Sequence, residues 1–262
     1  NMATDGGNLI LNEDEKNEIL EKSPNAKKYI RSFVGSQEFI KGIKRYCLWI
    51  TKDDEKEARD IEIINRHIEK VCEFRLQSKK ESTRKISAIP WRFEYVCGAD
   101  KDFILIPRVS SERREYIPMG FLDKEKICSD SACCIFTDSK YIFGVLNSRL
   151  HNLWVKAVGG RLKQDMRYST DLCYNTFPFP SITEKQKQLI EEAVYDILDI
   201  RDTYPGKTMA DLYDPNKMPD DLREAHQNLD CIIEKCYQNK PFKDDNERLQ
   251  VLFILYKEMT GR

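Results

Sequence analysis

Lys163, Asp165 and Arg167 occupy alternate positions just after the diglycine Gly159-Gly160. A basic side chain can donate to guanine O6 and N7, and a carboxylate can accept from cytosine N4. The set therefore holds the groups that answer one G·C pair in a major groove. Residues two apart share a face in an extended segment, yet an exposed charged hairpin carries the same pattern, and the residue types alone favour that plainer reading. A second cluster, Asp123-Lys124-Glu125-Lys126, brings the carboxylates and lysine of a metal-dependent nuclease without the upstream Asp such a site needs.

Other chemistry is missing. No G-x-S-x-G turn or phosphate-cradling G-x-x-x-x-G-K-[ST] loop occurs. An amino-methyltransferase would need an Asn-Pro-Pro-aromatic loop, and Asn175-Thr176-Phe177-Pro178 lacks its first proline; no glycine-rich adenosylmethionine loop is present either. His151 and His226 fall in helical stretches and read as hydrogen-bonded helix residues, and His67 reads as surface. The nine cysteines (47, 72, 97, 128, 133, 134, 173, 231 and 236) have no zinc-ligand spacing and suit a reducing cytoplasm. The chain on its own is read as having no catalytic site, no metal and no cofactor.

These groups need elements to hold them. An acidic first turn after Asn12 predicts a helix over about 13–22. Ala58, Ile61, Ile64, Ile68 and Val71 predict an amphipathic helix from Glu55 to Arg75. The period then becomes two, predicting a small sheet of about four strands: Trp91–Cys97, Phe103–Pro107, Tyr116–Phe121 and Ala132–Phe136. A helix from Lys140 to Val158 stops at Gly159-Gly160, and Arg161–Ser169 reads as a hairpin or loop. Pro178 and Pro180 mark a boundary, with Phe177 and Phe179 pinning the linker into an apolar groove. Three acidic amphipathic helices follow, opening near Thr183, Pro219 and Asp245. Trp49, Trp91 and Trp154 read as core packing rather than base-stacking platforms. The fold class is α+β: a mixed or antiparallel sheet flanked by helices over 1–180, then an all-α domain over 181–262.

The chain has 262 residues, 40% hydrophobic and 33% charged, so intrinsic disorder is excluded. No run suits a membrane span or a signal peptide, and no membrane partner is expected. The first residue is not Met, as in a piece of a longer polypeptide. Net charge is −1, but the mean hides a gradient: residues 75–180 hold 18 basic against 12 acidic, and residues 181–262 hold 12 against 17. A basic middle segment is what a phosphate-gripping face shows, and solvated helices also produce it.

Several blocks, in order along nearly the whole chain, resemble the type IIL restriction-modification enzymes. They include Asp5-Gly6-Gly7-Asn8-Leu9-Ile10-Leu11, Arg45-Tyr46-Cys47-Leu48-Trp49, Pro107-Arg108-Val109-Ser110-Ser111-Glu112-Arg113-Arg114 and Gly160-Arg161-Leu162-Lys163 through Arg167-Tyr168-Ser169. Tyr174-Asn175-Thr176-Phe177-Pro178 and Ala210-Asp211-Leu212-Tyr213-Asp214 belong with them. The resemblance implies a target recognition domain and a C-terminal helical domain. In such enzymes these follow an endonuclease and an N6-adenine methyltransferase in one polypeptide, and they direct both to a double-stranded DNA sequence. Adenosylmethionine and magnesium would then belong to the parent. The resemblance reverses the plainer reading of the post-diglycine segment. Lys163 toward guanine and Asp165 toward cytosine read one G·C pair, Arg167 serves a neighbouring pair, and Ser131 approaches the same groove. Arg108, Arg113, Arg114 and Arg161 become DNA-backbone contacts, with Lys79, Lys80, Arg84 and Lys85 as a secondary basic patch. Two other classes remain open: a protein-interaction scaffold without DNA readout, and an autonomous nuclease at Asp123–Lys126.

Overall fold

The computed structural model describes residues 2–95 and 101–261, and the chain divides into two compact units: Asn1–Asp100 with Asp123–Asp130, and Lys101–Leu122 with Ser131–Arg262. In the first unit, helix Glu13–Lys22 forms as expected. Its start is a reciprocal cap, in which the Asn12 side chain accepts from the Glu15 N–H at 2.8 Å while the Glu15 carboxylate accepts from the Asn12 N–H at 2.8 Å. The single helix expected from Glu55 to Arg75 is two, Glu55–Arg59 and Glu62–Leu76. Between them Ile61 is extended, with ψ 103°, and turns its side chain into the core. Ala58, Ile64, Ile68 and Val71 keep the expected stripe and pack with Leu9, Tyr29, Leu48, Trp91 and Phe93.

This unit also holds a four-stranded sheet in the order Ile10–Leu11, Tyr46–Leu48, Ile30–Val34, Ile127–Cys128, with only the last pair parallel. Strands of two to five residues are too short to show an alternation in sequence. The expected strand Trp91–Cys97 does not form over 91–95, which turn and bend. Trp91 and Phe93 are buried alternately without a ladder; residues 96 and 97 lie outside the described residues.

In the second unit Phe103–Pro107, buried at every position, is the centre of an antiparallel sheet between Gly120–Leu122 and Ala132–Ile135. The expected strand Tyr116–Phe121 reaches a ladder only at 120; Tyr116, Ile117 and Met119 are buried in the core instead. The expected helix Lys140–Val158 is broken into Lys140–Leu146 and Arg149–Val158, because the Ser148 hydroxyl accepts from the His151 N–H at 3.3 Å and starts a new helix. The three C-terminal helices form, as Glu184–Asp202, Asp220–Tyr237 and Asp245–Thr260. A β-carbon on Gly144 would lie 2.6 Å from Ile190 Cγ2, so that glycine permits the close approach of Lys140–Leu146 to Glu184–Asp202.

Ile104, Phe143, Trp154, Val194, Leu229 and Leu252 share one core, so the prolines near 180 end regular structure without ending the packing. Phe177 is buried there edge-on to His151 at 4.7 Å, and Phe179 packs on Phe177 at 5.4 Å. Trp154 is 1% exposed, in keeping with a packing role. The architecture is α+β. Among the described residues no helix is long and apolar enough to cross a membrane.

Asp230 joins two parts of this core. One carboxylate oxygen accepts from the Tyr116 hydroxyl at 2.7 Å and the other from the Arg149 N–H, at the start of helix Arg149–Val158, at 2.6 Å. Burial still raises its pKa from 3.8 to about 7, outweighing both hydrogen bonds. A carboxyl raised in the folded state binds its proton more tightly when folded, so the stability it contributes is present at low pH and is lost as pH rises from 3.8 through about 7. The melting temperature of Asp230→Asn is expected to fall less than that of the unaltered chain between about pH 4 and pH 8. Parallel profiles would show that Asp230 does not carry this dependence.

Candidate functional site

Helix Arg149–Val158 ends at Gly159, whose N–H donates to the Val155 carbonyl at 2.9 Å. This glycine has an ordinary φ of −69°, so it is not a left-handed stop. The requirement is space: a β-carbon would sit 2.4 Å from the Val155 carbonyl oxygen and 3.3 Å from the Arg167 carbonyl oxygen. The chain then forms a hairpin, Gly160–Leu162 against Asp165–Arg167, with Leu162 opposite Asp165, Arg161 opposite Met166 and Gly160 opposite Arg167. Val109–Ser110 pairs along the other side of Asp165–Arg167.

Lys163 and Gln164 make the turn. Lys163 has φ +58°, the only non-glycine value in the left-handed region among the described residues. A two-residue hairpin turn requires a positive φ at its first position, and a lysine there costs on the order of 1 kcal/mol.

What anchors the hairpin decides what it presents. Met166 and Tyr168 are each 2% exposed and point into the core. The Tyr168 hydroxyl is hydrogen-bonded to His151 Nε2 at 3.1 Å, and burial pushes His151 down to about pH 3. His151 is thus a neutral anchor, not a base at neutral pH. With Met166 and Tyr168 inward, Asp165 and Arg167 share the opposite face of their strand.

Lys163 and Arg167 are exposed, and their side chains have no hydrogen bond or ion pair among the described residues. Asp165 is half-buried and lies in the field of the Arg114 guanidinium. Burial lowers the pKa of Arg114, and the Asp165 and Asp214 charges oppose that shift. Ser131 is exposed; its carbonyl accepts from the Arg108 N–H at 3.3 Å, and the Arg108 carbonyl accepts from the Tyr168 N–H at 2.8 Å. The backbone of Arg108 thus lies between Ser131 and Tyr168, the residue that follows the strand carrying Asp165 and Arg167.

The basic residues divide. Arg113 is exposed with its side chain unpaired among the described residues, Arg108 is half-buried, and Arg114 is turned inward toward Ser110 Oγ at 3.5 Å. Arg161 pairs with Glu112 at 2.8 Å and, by register, lies on the face opposite Arg167. Lys79, Lys80, Arg84 and Lys85 belong to the first unit. Arg84 donates to the carbonyls of Ser78 and Lys79 at 2.7 and 3.0 Å, and Lys85 pairs with Glu81 at 2.9 Å, whereas the Lys79 and Lys80 side chains are exposed and, among the described residues, unpaired.

At the other cluster, Asp123 pairs with Lys126 at 2.9 Å and Glu125 with Arg31. Among the described residues no three His, Cys, Asp or Glu side chains are grouped as a bound cation requires. Sequence reading missed two features of the hairpin. One is the Tyr168–His151 anchor, which needs a contact across 17 residues; the other is Leu162, 52% exposed beside the turn, whose only signal was an apolar residue in a polar run.

Comparison with known proteins adds the family. DNA methyltransferase A of Bacillus subtilis (strain 168) is 43% identical over 262 residues, all of this chain and 30% of that relative. A solved structure of the Type IIL restriction-modification enzyme MmeI in complex with DNA is 42% identical with a TM-score of 0.94, covering 99% of this chain and 35% of the other. The chain thus spans about a third of the length of these relatives. Residues 1–181 match the family model of the MmeI target recognition domain and residues 182–262 that of the MmeI C-terminal domain. The chain belongs to the MmeI family, through its target recognition and C-terminal domains.

Proposed function

We propose that this chain is the sequence-reading module of a longer DNA adenine methyltransferase with endonuclease activity, and that it directs both activities to one double-stranded site. The observation that carries this is the hairpin. Met166 and Tyr168 fasten it from behind, Asp165 and Arg167 stand on its other face, and Lys163 sits unpaired at a strained tip. A preorganised strand with a donor, an acceptor and a second donor meets base edges with little ordering cost. Lys163 and Asp165 read one G·C pair, Arg167 a neighbouring one, and Ser131 approaches the same groove. The relationship to DNA methyltransferase A and to MmeI in its DNA complex supports the partner.

The catalytic steps belong to the methyltransferase and endonuclease domains of the same polypeptide. Adenosylmethionine would supply the methyl group for adenine N6, and magnesium would serve cleavage. The chain spans about a third of its relatives' length, and both groups are assigned to the remainder of the polypeptide. The scattered spacing of the nine cysteines, without zinc-ligand pairs, suits a reducing cytoplasmic location.

The test is DNA binding by the full-length protein as salt is varied. Replacing Arg113, Lys79 or Lys80 singly by Gln is expected to lower the slope of log affinity against log salt by about 1 for each residue that touches a phosphate, with the preferred sequence unchanged. A protein-interaction scaffold would instead show no salt-sensitive DNA affinity. An autonomous nuclease would cleave as the isolated chain with magnesium and lose that activity in Asp123→Asn.

A further inference from the structure

The register of the hairpin places one apolar side chain among its polar readers. Leu162 is directly opposite Asp165, so their side chains lie on the same face, which is also that of Arg167 and of Val109, opposite Arg167. Leu162 is 52% exposed on the outer strand of this three-stranded sheet, at the last position before the turn. It does not join the unit's core. A leucine 52% exposed contributes little to burial here, and an unblocked apolar residue on a sheet edge invites unwanted pairing. The face therefore offers an apolar knob, an acceptor and a donor, the knob being next in sequence to Lys163.

A major groove presents donors and acceptors together with one kind of apolar surface, the C5 edge of a pyrimidine, methylated in thymine and bare in cytosine. A side chain on the same face as Asp165 approaches base edges from the same direction as Asp165. The turn residues lead the hairpin, so a wedge driven between base steps would fall to Lys163 or Gln164 instead. We infer that Leu162 is a further specificity residue, packing against the C5 edge of a pyrimidine next to the pair met by Lys163 and Asp165. This rests on the reading module proposed above. It makes the hairpin a mixed reader, in which polar contacts choose one pair and an apolar contact senses a methyl group beside it.

The test uses the full-length protein and a duplex carrying its site, as found by mapping methylated adenines. Each thymine is replaced in turn by deoxyuridine, which removes the C5 methyl, and each cytosine by 5-methylcytosine, which adds one. One pyrimidine position is expected to change affinity by about fourfold, the worth of one buried methyl. That change is expected to vanish in Leu162→Ala and to persist in Leu162→Met, which keeps the apolar reach. Because Leu162 is exposed, both variants are expected to melt as the unaltered protein does.

Sensitivity of the same size in all three proteins, or at no position in the unaltered one, would overturn the inference. So would a Leu162→Ala that loses affinity equally for every modified duplex while a 2-aminopurine probe reports restored base stacking, since that is the signature of a wedge. The unmodified site against scrambled DNA separates the two claims. If that preference is absent the reading module fails and this inference with it; if it is present without Leu162-dependent methyl sensitivity, this inference alone fails.

Discussion

The double exchange Lys163→Glu with Asp165→Arg in the full-length protein is expected to invert one G·C pair of the methylated site. Each well-placed contact to a base edge discriminates by about 1–3 kcal/mol, roughly tenfold to a hundredfold per pair. Either single exchange leaves two like charges facing one base pair and should depress methylation of the old and new sites alike. The double exchange restores complementarity in the opposite orientation, so the effects are strongly non-additive, as expected of residues that share a partner. The backbone imposes no new cost, because Glu at 163 accepts the φ of +58° no worse than Lys does. Arg at 165 would find Arg114 nearby, so the electrostatic support that Asp165 has from Arg114 turns to repulsion. The exchanged enzyme is therefore expected to be slower than the original while choosing the inverted pair. Sequencing the methylated adenines of a host expressing each variant reads the outcome, and an unchanged base at every position would remove Lys163 and Asp165 from the readout.

The largest stability effect is expected at Arg75. It is 0% exposed and was legible in sequence only as the last basic residue of an amphipathic helix. Its guanidinium donates to the carbonyls of Thr4 at 2.8 Å, Ile86 at 3.0 Å, Ile89 at 2.8 Å and Arg92 at 2.7 Å, tying the first residues of the chain and the 86–92 segment to helix Glu62–Leu76. Burial lowers its pKa, and the nearby Asp5 charge opposes that shift. Arg75→Ala leaves four carbonyls without their donor and opens a cavity, with an expected loss of about 3–5 kcal/mol. Arg75→Lys keeps the charge but lacks the planar fork of donors, so it is expected to recover little. Urea unfolding of the chain measures both; a loss under about 1 kcal/mol for Arg75→Ala would mean that water replaces the guanidinium.

Arg75 also shows why part of this fold was not legible in sequence. Its partners are carbonyls as far away as Thr4, and carbonyls carry no residue-type signature. The strands Ile10–Leu11 and Ile127–Cys128 were missed for a related reason: two residues cannot display a period, and their pairing joins segments far apart in the chain. Local signals were more dependable. Asn12 and Glu15 mark a helix start within four residues, and the apolar stripes of the three C-terminal helices outweigh any competing pattern. The broken helices show the limit of periodicity, which continues through Ile61 and through Asn147-Ser148 although the backbone does not.

At the candidate site, alternation of Asp165 and Arg167 was readable, but the face they occupy and the place of Lys163 in the turn were not. That face is set by Met166 and Tyr168 turning inward, and by a hydrogen bond to a buried histidine. Arg161 looked like its basic neighbours in sequence, yet the register puts it on the opposite face and against Glu112. Charge identity is visible in a string of residues, whereas direction depends on the ladder.

Photocrosslinking is the most direct measurement of where DNA lies. A benzophenone side chain placed at Gln164, which is exposed in the turn, should capture bases of the duplex bound by the full-length protein, whereas the same group at exposed Lys257 should capture none. A stable complex with no crosslink from position 164 would contradict the assignment of this hairpin to the DNA.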